Sequence, residues 1–185
     1  MPMLLPMLLL ASSPYVPIYE AMPSRAILKR PVPELKHLGW MVGAWRCHVH
    51  SFAVGRAPAR DFGESSYTAK FIMPNALNGQ RTWLQLADTT SRDLTLLTFD
   101  PMARRWVLTG IEWPVSYGVS TGEMSGHRLV LTGGATVFGR NYHLRQTITK
   151  VGENSFTILN EERRPDGRWI RDDEYDFVRS ASPKS

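Results

Sequence analysis

The stretch Asn154–Arg179, NSFTILNEERRPDGRWIRDDEYDFVR, decides the architecture. Pro165-Asp166-Gly167 sits at its centre with the residue types of a tight turn, and a run rich in β-branched and aromatic residues lies on either side. Along the second arm, Trp169, Arg171, Asp173, Tyr175, Phe177 and Arg179 alternate with Ile170, Asp172, Glu174, Asp176 and Val178. Acids at 172, 174 and 176 mark the second set as solvent-facing. The first set is therefore predicted to face an interior, with Arg171 and Asp173 spaced to pair either inside it or at its rim.

The same pattern extends backwards over most of the chain. Period-two runs occupy about 44–54, 64–73, 80–88, 93–100, 104–112, 115–121, 127–133 and 136–150, followed by 154–163 and 168–179. Short Gly, Pro, Asn or Asp turns separate them, and no segment between them is long enough for the helix of a parallel crossover. Up-and-down antiparallel order follows. A sheet of so many strands closes or splits, and the shortness of the connections favours closure. The predicted fold is all-β, a single antiparallel barrel of eight to ten strands. In this reading Gly133-Gly134 ends one strand before the next begins, and Gly122–Gly126 forms a turn.

Before the barrel, Pro33–Leu38 carries a first-turn proline and apolar residues three apart, which predicts a short helix ended by Gly39. Residues 1–32 read differently. MLLPMLLL at 3–10 has signal-peptide length but lacks a basic start and contains Pro6, and prolines at 14, 17, 23, 31 and 33 favour an extended segment. Such an arm is either a leader with a small-residue cleavage site at 11–13, a retained apolar plug, or an extension before a true start at Met22. The domain reading is an arm over 1–32, a barrel over 33–180 and a disordered tail over 181–185.

Composition supports a folded domain. The 185 residues are 43% hydrophobic and 21% charged, with a single cysteine, Cys47, which leaves no internal disulfide and no multi-cysteine metal or cluster site. The net charge of +5 sits wholly in residues 1–60, where seven basic residues face two acids, and the rest of the chain is neutral. That distribution gives no basic stripe for nucleic acid. It points instead to an anionic membrane surface or an acidic partner beside the arm, and to a periplasmic or membrane-associated location, with a cytoplasmic one as the alternative.

Gly43-Ala44-Trp45 opens the first run, and Tyr175-Asp176-Phe177-Val178-Arg179 closes the last. Between them lie Phe99-Asp100-Pro101 before Arg105-Trp106-Val107, and Asn160-Glu161-Glu162 leading through Asp166-Gly167-Arg168-Trp169. This ordered set, over about 33–180, resembles lipocalin-like calycin barrels, and within them an uncharacterised bacterial family whose members are often exported. The resemblance implies that Trp45 and Arg179 form a structural floor, guanidinium over indole, and that the interior takes a small molecule. It implies no activity.

Candidate chemistry follows from side-chain type and parity. Trp83, Phe99, Trp106, Tyr142, Tyr175 and Phe177 supply enough aromatic surface to line a pocket, and equally enough to fill one. His143, Arg145 and Tyr175 are the candidates for proton transfer, with Asn141 beside the first two. His48 and His50 have metal-ligand spacing, but if Trp45 points inward they point outward with Arg46, so no metal site and no cofactor are expected. Glu161 and Glu162 are adjacent and face opposite ways, which removes a paired-carboxylate mechanism. No nucleophile or phosphate-loop motif is present. Three functions are consistent with these features. The first is binding of a small apolar or amphiphilic molecule. The second is a non-catalytic accessory subunit docking to a membrane-associated complex through residues 1–36, and the third a cofactor-independent cyclase or isomerase.

Overall fold

The structure, a computed structural model, describes residues 23–90, 92–112 and 115–180. The chain divides into two units, Met1–Arg30 and Pro31–Ser185. In the first, one helical turn, α1, spans Arg25–Leu28. The leader-like segment and the last five residues lie outside the described residues.

The second unit is an all-β barrel of ten strands. These are β1 (Gly43–Ser51), β2 (Arg60–Pro74), β3 (Arg81–Asp88), β4 (Asp93–Asp100) and β5 (Arg105–Glu112), followed by β6 (Ser116–Ser125), β7 (Arg128–Val137), β8 (Arg140–Gly152), β9 (Ser155–Arg163) and β10 (Trp169–Arg179). Each strand pairs antiparallel with its sequence neighbour, and β1 closes the ring against β10, with Trp45 opposite Arg179 and Val49 opposite Tyr175. Closure leaves no strand edge unpaired, which a linear sheet of this size could not achieve.

Two turns differ from the sequence reading. Gly133 and Gly134 lie inside β7, and the chain reverses at Phe138-Gly139, both with positive φ (49° and 75°), as a two-residue hairpin turn that matches strand twist requires. Phenylalanine is not a turn former, which hid this reversal. Gly133 instead serves packing: a Cβ there would meet the Val119 carbonyl oxygen, and one on Gly122 would meet that of Val130. β6 and β7 thus approach more closely than side chains would permit. Gly122–Ser125 likewise continues β6, and the reversal falls at Gly126-His127.

Pro33–Met41 forms a 3-10 helix that runs three residues past Leu38. Its apolar positions Leu35, Leu38 and Met41 repeat every three residues, the period of a 3-10 helix, so all three fall on one face and are buried in the barrel core. The side-chain amide of Gln80 fixes its entry, accepting from the Val32 N–H at 2.8 Å and donating to the Val32 carbonyl at 3.0 Å. Next to the 3-10 helix the interior is filled. Phe156 and Phe177 stack at 4.2 Å, Trp45 meets Phe156 edge-on at 4.8 Å, and Leu84, Leu97, Leu129 and Leu131 fill the space between them.

Candidate functional site

The inward rows change character from one end of the barrel to the other. On β4 the row runs Phe99, Leu97, Thr95, Asp93, and on β5 it runs Trp106, Leu108, Gly110, Glu112, residue opposite residue. Ser116, Gly118 and Ser120 continue it on β6, paired with Val137, Ala135 and Gly133. Large apolar side chains therefore fill the end next to the 3-10 helix, and small ones leave the other end hollow. The resulting cavity is about 180 Å³, the bulk volume of about six water molecules.

Its walls are apolar low down and acidic near the mouth. Leu86, Leu108, Leu144, Ile158 and Phe177 form the lower lining, and Asp93, Glu112, Asp172 and Asp173 the upper one. Among the described residues that line it there is no lysine, arginine or histidine. Asp93 accepts from the Tyr67 hydroxyl at 2.8 Å, and Asp173 from the Asn160 amide at 2.7 Å. The other end of that amide, Asn160 Oδ1, is buried without a partner.

Burial dominates the electrostatics. It pushes the Asp173 carboxyl up to about 7 against the pull of the Asn160 hydrogen bond, with the negative charges of Asp172, Glu112 and Asp93 adding to the rise. The Asp93 carboxyl is raised to about 6, again first by burial, with the Tyr67 hydroxyl opposing and Glu112 and Asp88 assisting. The same burial and the same acids raise the Tyr175 and Tyr67 hydroxyls, so both remain protonated donors.

A β-bulge produces this constellation. The β9–β10 register shifts between Arg171 and Asp173, so Asp172 and Asp173 both reach the cavity. The Arg171–Asp173 pair expected from strict alternation does not form. Arg171 turns away to Glu174 at 2.7 Å and covers the Phe52 ring at 3.9 Å.

The fold has a solved counterpart. Rv2717c from M. tuberculosis superposes with a TM-score of 0.53 at 10% identity, over 82% of this chain and all of that one. An S-type phycobiliprotein lyase, CPES from Guillardia theta, aligns over 87% of this chain and all of its own, with a TM-score of 0.49 and 14% identity. The likeness to Rv2717c is one of fold. No protein family and no curated protein matches the sequence.

The residues singled out from sequence separate in space. Tyr175 and Phe177 line the cavity. Phe99 and Trp106 pack edge-to-face at 5.3 Å at the filled end, where Trp106 is buried. Trp83 alternates with the buried Leu84 and so lies on the outer face of β3. Tyr142 borders a shallow depression with Tyr117, Asn141 and His143. Arg145 is also on the outer face of β8, donating from Nε and Nη2 to the two Glu161 carboxylate oxygens (2.6 and 2.7 Å) and stacked 4.7 Å from the Trp169 ring. The wall of the barrel therefore lies between His143 and Arg145 on its outer face and Tyr175 on its inner one. At the floor the Arg179 guanidinium lies 4.2 Å from the Trp45 ring centroid and donates to the carbonyls of Val42 (2.9 Å) and Trp40 (2.7 Å).

The sequence reading missed Asp93, Glu112 and Asn160 as site residues. Asp93 and Glu112 end inward rows that are otherwise apolar or small, and Asn160 follows Phe156 and Ile158 on the inward row of β9; that parity is the signal available in the sequence.

Proposed function

We propose that the barrel binds one small amphiphilic molecule with a cationic or strongly hydrogen-bond-donating head, such as an organic ammonium with a short apolar body. One observation carries this reading: the cavity is ringed by four carboxylates and faced by no basic side chain among its described lining residues. The apolar body rests against Leu108, Ile158 and Phe177, and the head meets Asp93, Asp173 and the unpartnered Asn160 Oδ1. An ionised ligand would offset the cost of holding these acids out of water. The volume, below the ~300–1,000 Å³ of sites for drug-sized ligands, favours a small occupant.

Isothermal titration with n-alkylammonium ions of four to eight carbons, against alkanoates and alkanols of equal length, tests the reading. The ammonium series is expected to bind at least tenfold more tightly than the alkanoates, with Asp173→Asn and Asp93→Asn eroding that preference. Equal or tighter alkanoate binding, or no binding by any series, would overturn it.

A further inference from the structure

On the outside of the barrel, and independent of the cavity, His48 and His50 lie on the outward row of β1. His48 stands opposite Asp176 on β10, and His50 opposite Glu174 on β10 and Asp61 on β2. The β1–β2 register shifts between Val49 and His50, which draws Asp61 alongside both rings. One ligand atom from each of His48, His50 and Asp176 lies within 4.8 Å of the others, and this is the one such group of three among the described residues.

We propose that His48, His50 and Asp176 form a surface site for a borderline transition-metal dication, with Zn²⁺ as the reference ion and water completing the shell. Donors on a tetrahedral Zn²⁺ with bonds of ~2.0–2.2 Å sit roughly 3.3–3.6 Å apart, so the three groups need close by only about 1 Å. Their side chains retain the freedom to do so, with 40%, 32% and 45% of their surface exposed. His50 stands 3.8 Å from both Asp176 and Glu174, beyond hydrogen-bond distance, and so carries no close contact that metal binding must break.

The surroundings suit a dication. Asp61 lies 2.9 Å from His48 Nε2 and is itself held by the Gly63 N–H at 2.7 Å, so with a metal on His48 Nδ1 it would serve as the orienting carboxylate that supports metal-bound imidazoles. Of the nearby cations, Arg171 is bound to Glu174 at 2.7 Å, and Arg46 lies 3.8 Å from Glu64. Two imidazoles with one carboxylate favour Zn²⁺, Ni²⁺ or Cu²⁺ over Mg²⁺ or Ca²⁺, which prefer oxygen shells. The competing arrangement is a plain cross-strand ladder of His–Asp ion pairs.

Titration of the full chain with ZnCl₂ by calorimetry, with MgCl₂ as comparison, separates the two. The expected result is one Zn²⁺ per chain with a micromolar dissociation constant, no Mg²⁺ binding, and at least a tenfold loss in His48→Ala, His50→Ala and Asp176→Asn. His143→Ala, on β8, should bind as the parent does. On the unaltered chain, imidazole NMR should show Zn²⁺ moving the His48 and His50 signals ahead of those of His37, His127 and His143. Absence of Zn²⁺ binding, affinity indifferent to the His48 and His50 substitutions, or zinc shifts led by the other histidines would overturn the proposal. Alkylammonium binding in the cavity is unaffected by any of these outcomes.

Discussion

The guanidinium of Arg179 occupies the space that a side chain on Gly43 would need: a Cβ built on Gly43 falls against Arg179 Nη1. Gly43 also has φ of 142°, where other residues are strained. The glycine two residues before Trp45 therefore exists to let the arginine reach over the indole and cap the last carbonyls of the 3-10 helix. Gly43→Ala is expected to cost about 1–3 kcal/mol in thermal unfolding, through displacement of Arg179 and backbone strain. Arg179→Ala should cost a similar amount, and the double variant less than the sum, because the space is then vacant. Strict additivity would show that the two residues act separately.

The raised carboxyls set a pH dependence of stability. Folded Asp173 and Asp93 keep protons up to about 7 and about 6, whereas unfolded aspartates release theirs near 3.9. Between these values the folded chain binds more protons, so these two groups make stability fall as pH rises from about 4 to 7. Asp173→Asn, which keeps an oxygen to accept from Asn160, should gain about 1–3 kcal/mol over the parent at pH 8 and almost nothing at pH 4. Urea midpoints at the two pH values measure this, and a variant no more stable at pH 8 would refute it.

Ligand affinity should follow the opposite sign. A cation is favoured by ionised carboxylates, so binding of octylammonium should tighten by tenfold or more from pH 5 to pH 8, and flatten in Asp93→Asn/Asp173→Asn. Calorimetric titration at three pH values checks it, and a flat profile in the parent would contradict the placement of the head against these acids.

Filling the cavity should abolish binding without unfolding the chain. Ser120 is buried and lines the hollow end. Ser120→Leu is expected to weaken ligand binding at least tenfold, about 1.4 kcal/mol, with a cooperative thermal transition retained. The exposed neighbour Val119→Thr should bind as the parent does.

The Arg145–Glu161 pair is a structural feature of the outer wall. Its bidentate geometry and the Trp169 ring beneath it make it stronger than an ordinary surface pair, and the Arg145 charge is further stabilised by Glu161. Glu161→Ala should cost about 1–3 kcal/mol in stability, leaving cavity affinity unchanged, and His143→Ala should change stability by less than about 0.5 kcal/mol. Loss of cavity binding in either variant would place these residues in the site after all.

Local rules make much of the barrel readable in the chain. Alternating residues between Asp166-Gly167, Asn78-Gly79 and similar turns settle strand identity and up-and-down order, because side-chain period and turn chemistry are properties of a few neighbouring residues. The sequence also places Trp45 and Arg179 at opposite ends of the fold's first and last strands, so that ring closure brings them together. It did not locate the Phe138-Gly139 reversal, the Gly133 approach or the bulge before Asp173, since each depends on how neighbouring strands coil against one another. The site was hidden for the same reason. Asp93, Glu112 and Asp173 come from β4, β5 and β10, and only barrel closure gathers them around one cavity; burial there, a property of the whole packed interior, raises Asp93 and Asp173 towards neutrality.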